Sequence, residues 1–153
     1  MLIRNAGFMW HRKYVNWKKR ELMGTPEKGG GDPLDFADQA GIYGLYDRNN
    51  QCIYIGQAGR GEKSGLYDRL KDHTDDYLFC MWERFSWYGF YSTDVLLSGE
   101  YNAKYNIETD IDKIMTTIET VAIHLTLPKH NRSMGMDVKE IEWYYQKAEF
   151  EHK

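Results

Sequence analysis

Two short runs, GIYGLY at 41–46 and CIYIG at 52–56, constrain this 153-residue chain more than any other feature. Ile42, Tyr43, Leu45 and Tyr46 lead in, Asp47-Arg48-Asn49-Asn50 turns, and Ile53, Tyr54 and Ile55 return, the pattern of a β-hairpin over 41–56. Asparagine tolerates the left-handed backbone that a tight turn demands. If the turn holds an even number of residues, pairing parity places Tyr43 and Tyr54 on one face of the sheet, and a bulge between them would undo that. Singly, such a pair is an ordinary cross-strand aromatic contact.

The flanking segments are read the same way. Trp10, Tyr14 and Trp17 recur at i, i+4 and i+7, which predicts a helix over 10–20 with Arg12, Lys13, Lys18 and Lys19 beside the aromatic stripe. Core packing is the first reading of that stripe, with the cations as a wet face or a grip on phosphates. A Gly- and Pro-containing stretch over 23–33 is the only linker-like segment. It divides the chain into an N-terminal arm, 1–35, and a domain, 36–153. LYDRLKDH predicts a short helix from about Ser64, with Arg69 and His73 one turn apart on one face. RFSWYGFY, 84–91, predicts an aromatic strand, and 92–106 a polar loop. Between Asp110 and Leu125 the apolar positions follow a helical template closely. Glu119 falls at the border of that stripe, Thr109 is a fair N-cap, and Pro128 stops the helix. A final amphipathic helix is expected over 137–149.

Composition bounds the class. A hydrophobic fraction of 42% with 15% aromatics is that of a folded chain of one domain. No apolar run is long enough to cross a bilayer, and the start has no signal-peptide core, so no membrane is expected. The two cysteines, Cys52 and Cys80, have no metal or redox spacing, and the natural compartment is the cytoplasm. Cysteines and histidines together form no zinc-ligand pattern. The net charge of −3 does not advertise nucleic-acid binding, yet Arg4, Arg12, Lys13, Lys18, Lys19 and Arg20 fall in the first twenty residues without an acid. Screening confines fields to about 10 Å, so a local basic face can still hold phosphates.

The order of the polar residues carries a further meaning. GIY, ten intervening residues, YIG, an arginine on the next helix, a helical glutamate and a later asparagine together resemble the GIY-YIG nuclease superfamily. The resemblance spans 41–131. It implies an α+β fold, a small three-stranded antiparallel sheet flanked by helices, that hydrolyses phosphodiester bonds in DNA with one divalent ion, Mg²⁺ or Mn²⁺. By resemblance the catalytic residues are Tyr43, Tyr54, Arg69, His73, Glu119 and Asn131, with Glu119 the metal ligand. Some members carry a lysine soon after YIG; Gln57 stands there instead, and Arg60 or Lys63 of the following loop are candidates to supply the charge. Gln57, Arg60, Lys63, Arg12 and Lys13 are thus the candidate substrate contacts.

The residue types suit that chemistry. A hard cation on one carboxylate polarises phosphoryl oxygen and helps the leaving group. A guanidinium forks onto phosphate oxygens as an ammonium cannot. A phenol with an ordinary pKa near 10 is an awkward base unless a cation lowers it or His73 takes its proton. Which tyrosine receives the proton of water stays open, and Asn131 most simply braces a neighbour. The chain has little beyond the family core with which to read duplex sequence, and a homodimer through the arm or the last helix is one expected assembly. The alternative is a binding module that keeps the fold with weak or absent turnover.

Overall fold

The structure, a computed structural model, describes residues 2–28, 30–59, 64–100, 117–118, 121, 124–126 and 141–147. Its strands are β1 (Asn5–His11), β2 (Met23–Pro26), β3 (Leu34–Asp35), β4 (Gly41–Tyr46), β5 (Cys52–Ala58), β6 (Arg84–Gly89) and β7 (Glu142–Gln146). The helices are a 3-10 turn at Arg12–Tyr14, α1 (Leu66–Asp72) and α2 (Thr93–Ser98); residues 117–118, 121 and 124–126 are also helical. The strands form one mixed sheet in the order β3-β2-β7-β1-β6-β4-β5. This corrects the expected fold class: the sheet has seven strands rather than three, and the helices accompanying it are short.

The hairpin forms as its pattern predicts. Asp47 closes the turn by accepting the Asn49 and Gln51 amides on its carboxylate at 2.8 and 2.9 Å. Asn50 takes the left-handed conformation, φ 59°. The β4–β5 ladder pairs Tyr43 with Gly56 and Leu45 with Tyr54, and its one irregularity lies turnward, between Leu45 and Tyr46. Tyr43 and Tyr54 are therefore diagonal neighbours on one face. β6, within the expected 84–91 strand, pairs antiparallel along the other side of β4. The polar segment expected as loop contains α2, capped by Ser92.

The two ends of the chain differ from their predicted helices. Residues 5–11 are a strand, antiparallel to β6 and parallel to β7, and the segment beyond continues as the 3-10 turn rather than a helix over 10–20. The aromatic spacing is used differently. Trp10 enters the core edge-on to Phe36, Phe85 and Trp87 at 6.1, 5.9 and 5.4 Å, and its indole N–H donates to the Tyr144 carbonyl at 3.0 Å. Each such ring pair contributes about 0.5–1.5 kcal/mol beyond the area it buries. Of the predicted final helix, 142–146 is instead a strand between β1 and β2. Tyr144 faces the core while Tyr145 faces solvent, a period of two.

Alternation sorts the apolar residues into a cluster on each sheet face. Tyr43, Leu45, Phe85, Trp87 and Trp10 share one with Leu66 and Leu70 of α1. Tyr46, Tyr88, Ile3 and Ala6 share the other with Val121 and Leu125. Among the described residues no helix is long and apolar enough to cross a membrane.

Among the phenols buried in these clusters, Tyr43, Tyr46, Tyr88 and Tyr144 are the most strongly perturbed. Burial raises the pKa of each, that of Tyr46 to about 12 and the others further. Folding therefore opposes their ionisation. The resulting stability is complete below the unfolded value near 10 and is lost as pH climbs from there through the raised folded values. One pH unit above 10, each phenol costs about 1.4 kcal/mol and the four about 6 kcal/mol, a large share of a domain's whole stability. The melting temperature read by circular dichroism is expected to be flat up to about pH 9.5 and to fall steeply above about pH 10.5. A profile that stays flat through that range contradicts the burial of these phenols as neutral groups.

Candidate active site

Three elements converge on the β4–β5 hairpin face. β4 supplies Tyr43, β5 supplies Tyr54 and Gln57, and α1 supplies Arg69 and, at its C-cap, His73. α1 stands over this face because Leu66 and Leu70 bury against it, which turns Arg69 toward its rim. Gly41 and Gly56 stand where a side chain has no room. A Cβ on Gly41 would lie 2.0 Å from the Tyr88 carbonyl oxygen, and one on Gly56 2.4 Å from the Tyr43 hydroxyl. Gly56 is thus the floor on which the Tyr43 phenol rests.

The core of the site is a hydrogen-bonded chain. Tyr43 Oη lies 2.8 Å from His73 Nε2, and His73 Nδ1 lies 2.6 Å from Asp76 Oδ2. Asp76 Oδ1 accepts the Leu78 amide at 2.7 Å. The carboxyl of Asp76 feels a burial cost that raises its pKa, but the bonds from His73 and Leu78 outweigh it and hold the pKa below the ordinary carboxylate value. Asp76 is therefore an acceptor at neutral pH, and a neutral His73 carries its proton on Nδ1. Nε2 is then free to accept from the Tyr43 hydroxyl. The Trp82 indole donates to the His73 carbonyl at 3.0 Å and pins the backbone.

Tyr54 closes the group, its ring 4.6 Å from His73 and 6.1 Å from Tyr43. Burial raises the Tyr43 pKa first and Tyr54 raises it further, while the Arg69 guanidinium opposes both. The Arg69 side chain is 36% exposed and pairs with Asp72 at 3.0 Å. Tyr43 itself has no solvent exposure. The open side of the site is a cleft of about 490 Å³ lined by Tyr54, Ile55, Gly56, Gln57, Ser64 and Arg69.

Of the expected residues, Tyr43, Tyr54, Arg69, His73 and Gln57 meet here. Arg12 and Lys13 do not; they line a different cleft with Trp17, Phe79 and Trp82. Arg60, Lys63, Glu119 and Asn131 lie outside the described residues. The described part of the 117–126 segment packs through Val121 and Leu125 onto the sheet face opposite Tyr43. Asp76 was not anticipated. Its signal was the i, i+3 spacing from His73 just past the end of a short helix.

The described acids around the cleft do not fit a divalent ion. Asp76 is engaged by His73 and Leu78, and Asp72 by Arg69. No group of three His, Cys, Asp or Glu that could hold a metal occurs among the described residues. No family model matches the chain, and no curated protein or solved structure matches it significantly.

Proposed function

We propose that the chain is a GIY-YIG-type endonuclease hydrolysing phosphodiester bonds in DNA at the hairpin–α1 cleft. The single observation that carries this reading is the Asp76–His73–Tyr43 chain ending beside Arg69, because it supplies a proton sink next to a fixed positive charge. Arg69 takes two phosphate oxygens through its fork. Tyr54, the half-buried phenol, meets the attacking water at the cleft. The proton leaves through Tyr43 to His73 Nε2, and Asp76 stabilises the imidazolium that results. This resolves the difficulty of a phenol base. Tyr43, with its raised pKa, never has to stand ionised; it hands on one proton while receiving another. Gln57 contributes a neutral contact to the substrate. A reducing compartment such as the cytoplasm suits the free thiols of Cys52 and Cys80.

The resemblance implies an Mg²⁺ or Mn²⁺ ion on Glu119, whereas Val121 and Leu125 of that segment pack on the sheet face opposite Tyr43, so metal dependence is tested separately from the relay. A supercoiled plasmid, incubated with the protein in Mg²⁺, is expected to be nicked, and not in EDTA or by Glu119→Gln. Absence of cutting on duplex, branched and single-stranded substrates alike removes the enzyme. It leaves the second reading, a nucleic-acid- or protein-binding module, which the complete burial of Tyr43 favours.

A further inference from the structure

A second cleft of about 440 Å³, bordered on one side by Arg48 of the hairpin turn, is walled by rings and cations. The Arg12 guanidinium lies 4.8 Å from the Trp82 ring and 5.5 Å from the Phe79 ring, and donates to the Phe79 carbonyl at 2.5 Å. Lys13 is exposed, its ammonium 4.7 Å from the Tyr14 ring. Arg48, whose side chain is 82% exposed, pairs with Glu83 at 2.8 Å. Arg12, Lys13 and Arg48 against Glu83 leave an excess of two positive charges on the described wall. Phe79 is 51% exposed, with Tyr77 and Met81 exposed on either side.

Rings open to solvent beside fixed cations are what unpaired nucleobases and their phosphates require. A duplex hides its base faces, and an acidic peptide has no use for the rings. We infer that this cleft binds single-stranded nucleic acid, with a base stacked on Phe79 and the backbone held by Lys13 and Arg48. The inference deepens the proposed endonuclease and rests on it for the identity of the polymer.

The cleft adjoins the relay through two contacts. Trp82, part of its wall, donates to the His73 carbonyl. The segment leading to Phe79 begins at Asp76, whose carbonyl accepts the Phe79 amide at 3.1 Å. A strand seated on Phe79 therefore lies one layer of side chains from the hairpin site.

The test is binding of a fluorescent oligothymidylate of about 12 nucleotides, read by anisotropy in EDTA so that no cleavage intervenes. The wild type is expected to prefer this strand over a duplex of equal length by about tenfold, and Phe79→Ala to weaken it by about tenfold. Lys13→Gln with Arg48→Gln removes two backbone contacts, and is expected to flatten the salt slope of log K by about 1.4. Leu97→Ala, an exposed substitution on α2 that lines neither cleft, is expected to change this binding less than about twofold. The substituted side chains are exposed, and unchanged circular dichroism confirms that each variant is folded. Quenching of the tryptophan fluorescence, to which Trp17 and Trp82 of the cleft wall contribute, gives an independent reading of occupancy.

Equal affinity for single strand and duplex, or binding indifferent to Phe79→Ala, overturns the inference. So does polyglutamate competing as well as the oligonucleotide, which makes the cleft an acidic-protein site. Plasmid nicking separates this outcome from the fate of the hydrolase. Phe79-dependent binding without nicking keeps the cleft and removes the enzyme, and nicking with Phe79-independent binding does the reverse.

Discussion

Arg69→Ala is expected to lower the rate of plasmid nicking about 10³-fold while leaving the melting temperature within about 2 °C. The two effects separate because of where the side chain sits. Its guanidinium contributes little to folding: its partner is the exposed Asp72, and such surface pairs are worth about 0–1 kcal/mol. For catalysis it is the only described cation lining the cleft with Tyr54, Gln57 and Ser64. Charge builds on phosphoryl oxygens in the transition state, and a preorganised guanidinium there is commonly worth 10³-fold or more. Arg69→Lys is expected to recover only a small part of the rate, since a point charge lacks the planar fork. A rate within threefold of the parent for Arg69→Ala, measured under single-turnover conditions, would remove the phosphate-clamp role.

How much of this was legible beforehand depended on how local each determinant is. The hairpin was, because Asp47 and Asn50 carry turn chemistry and the flanking residues alternate. α1 was, because Leu66 and Leu70 mark its buried side. Tyr43, Tyr54, Arg69 and His73 came together because parity and one helical turn are short-range rules. The ends of the chain were not legible. Trp10, Tyr14 and Trp17 satisfy a helical template, and what makes β1 a strand is pairing to β6 and β7, about 80 and 140 residues away. No local pattern contains those partners, and the same holds for Glu142–Gln146. Without them the sheet reads as three strands instead of seven. Asp76 was missed for a different reason: it follows a helix end, where the chain direction decides whether an i+3 carboxylate meets the histidine.

Asp76→Asn is the sharper probe of the relay, and it is expected to cost about 10²–10³-fold in nicking with little loss of stability. The substitution keeps shape and replaces one acceptor with a donor. Asp76 uses both oxygens, Oδ1 for the Leu78 amide and Oδ2 for His73 Nδ1. In an asparagine only one of those positions is an oxygen. The Leu78 amide can only donate, so the carboxamide oxygen must face it and the NH₂ must face His73. Nδ1 is then forced to accept, and the imidazole proton moves to Nε2. Nε2 now donates to the Tyr43 oxygen and cannot receive its proton, so the relay is blocked at its middle member. The lost negative charge also leaves any imidazolium without its counter-ion. Asp76→Ala removes the constraint on the tautomer instead of reversing it, and is expected to retain more activity than Asp76→Asn. Heteronuclear NMR of the His73 ring reads the tautomer directly. Protonation at Nδ1 in the parent and at Nε2 in Asp76→Asn is the expected result. An Nε2-protonated parent with unimpaired nicking would mean that Tyr43 accepts from His73, and that the proton of the attacking water leaves by another route.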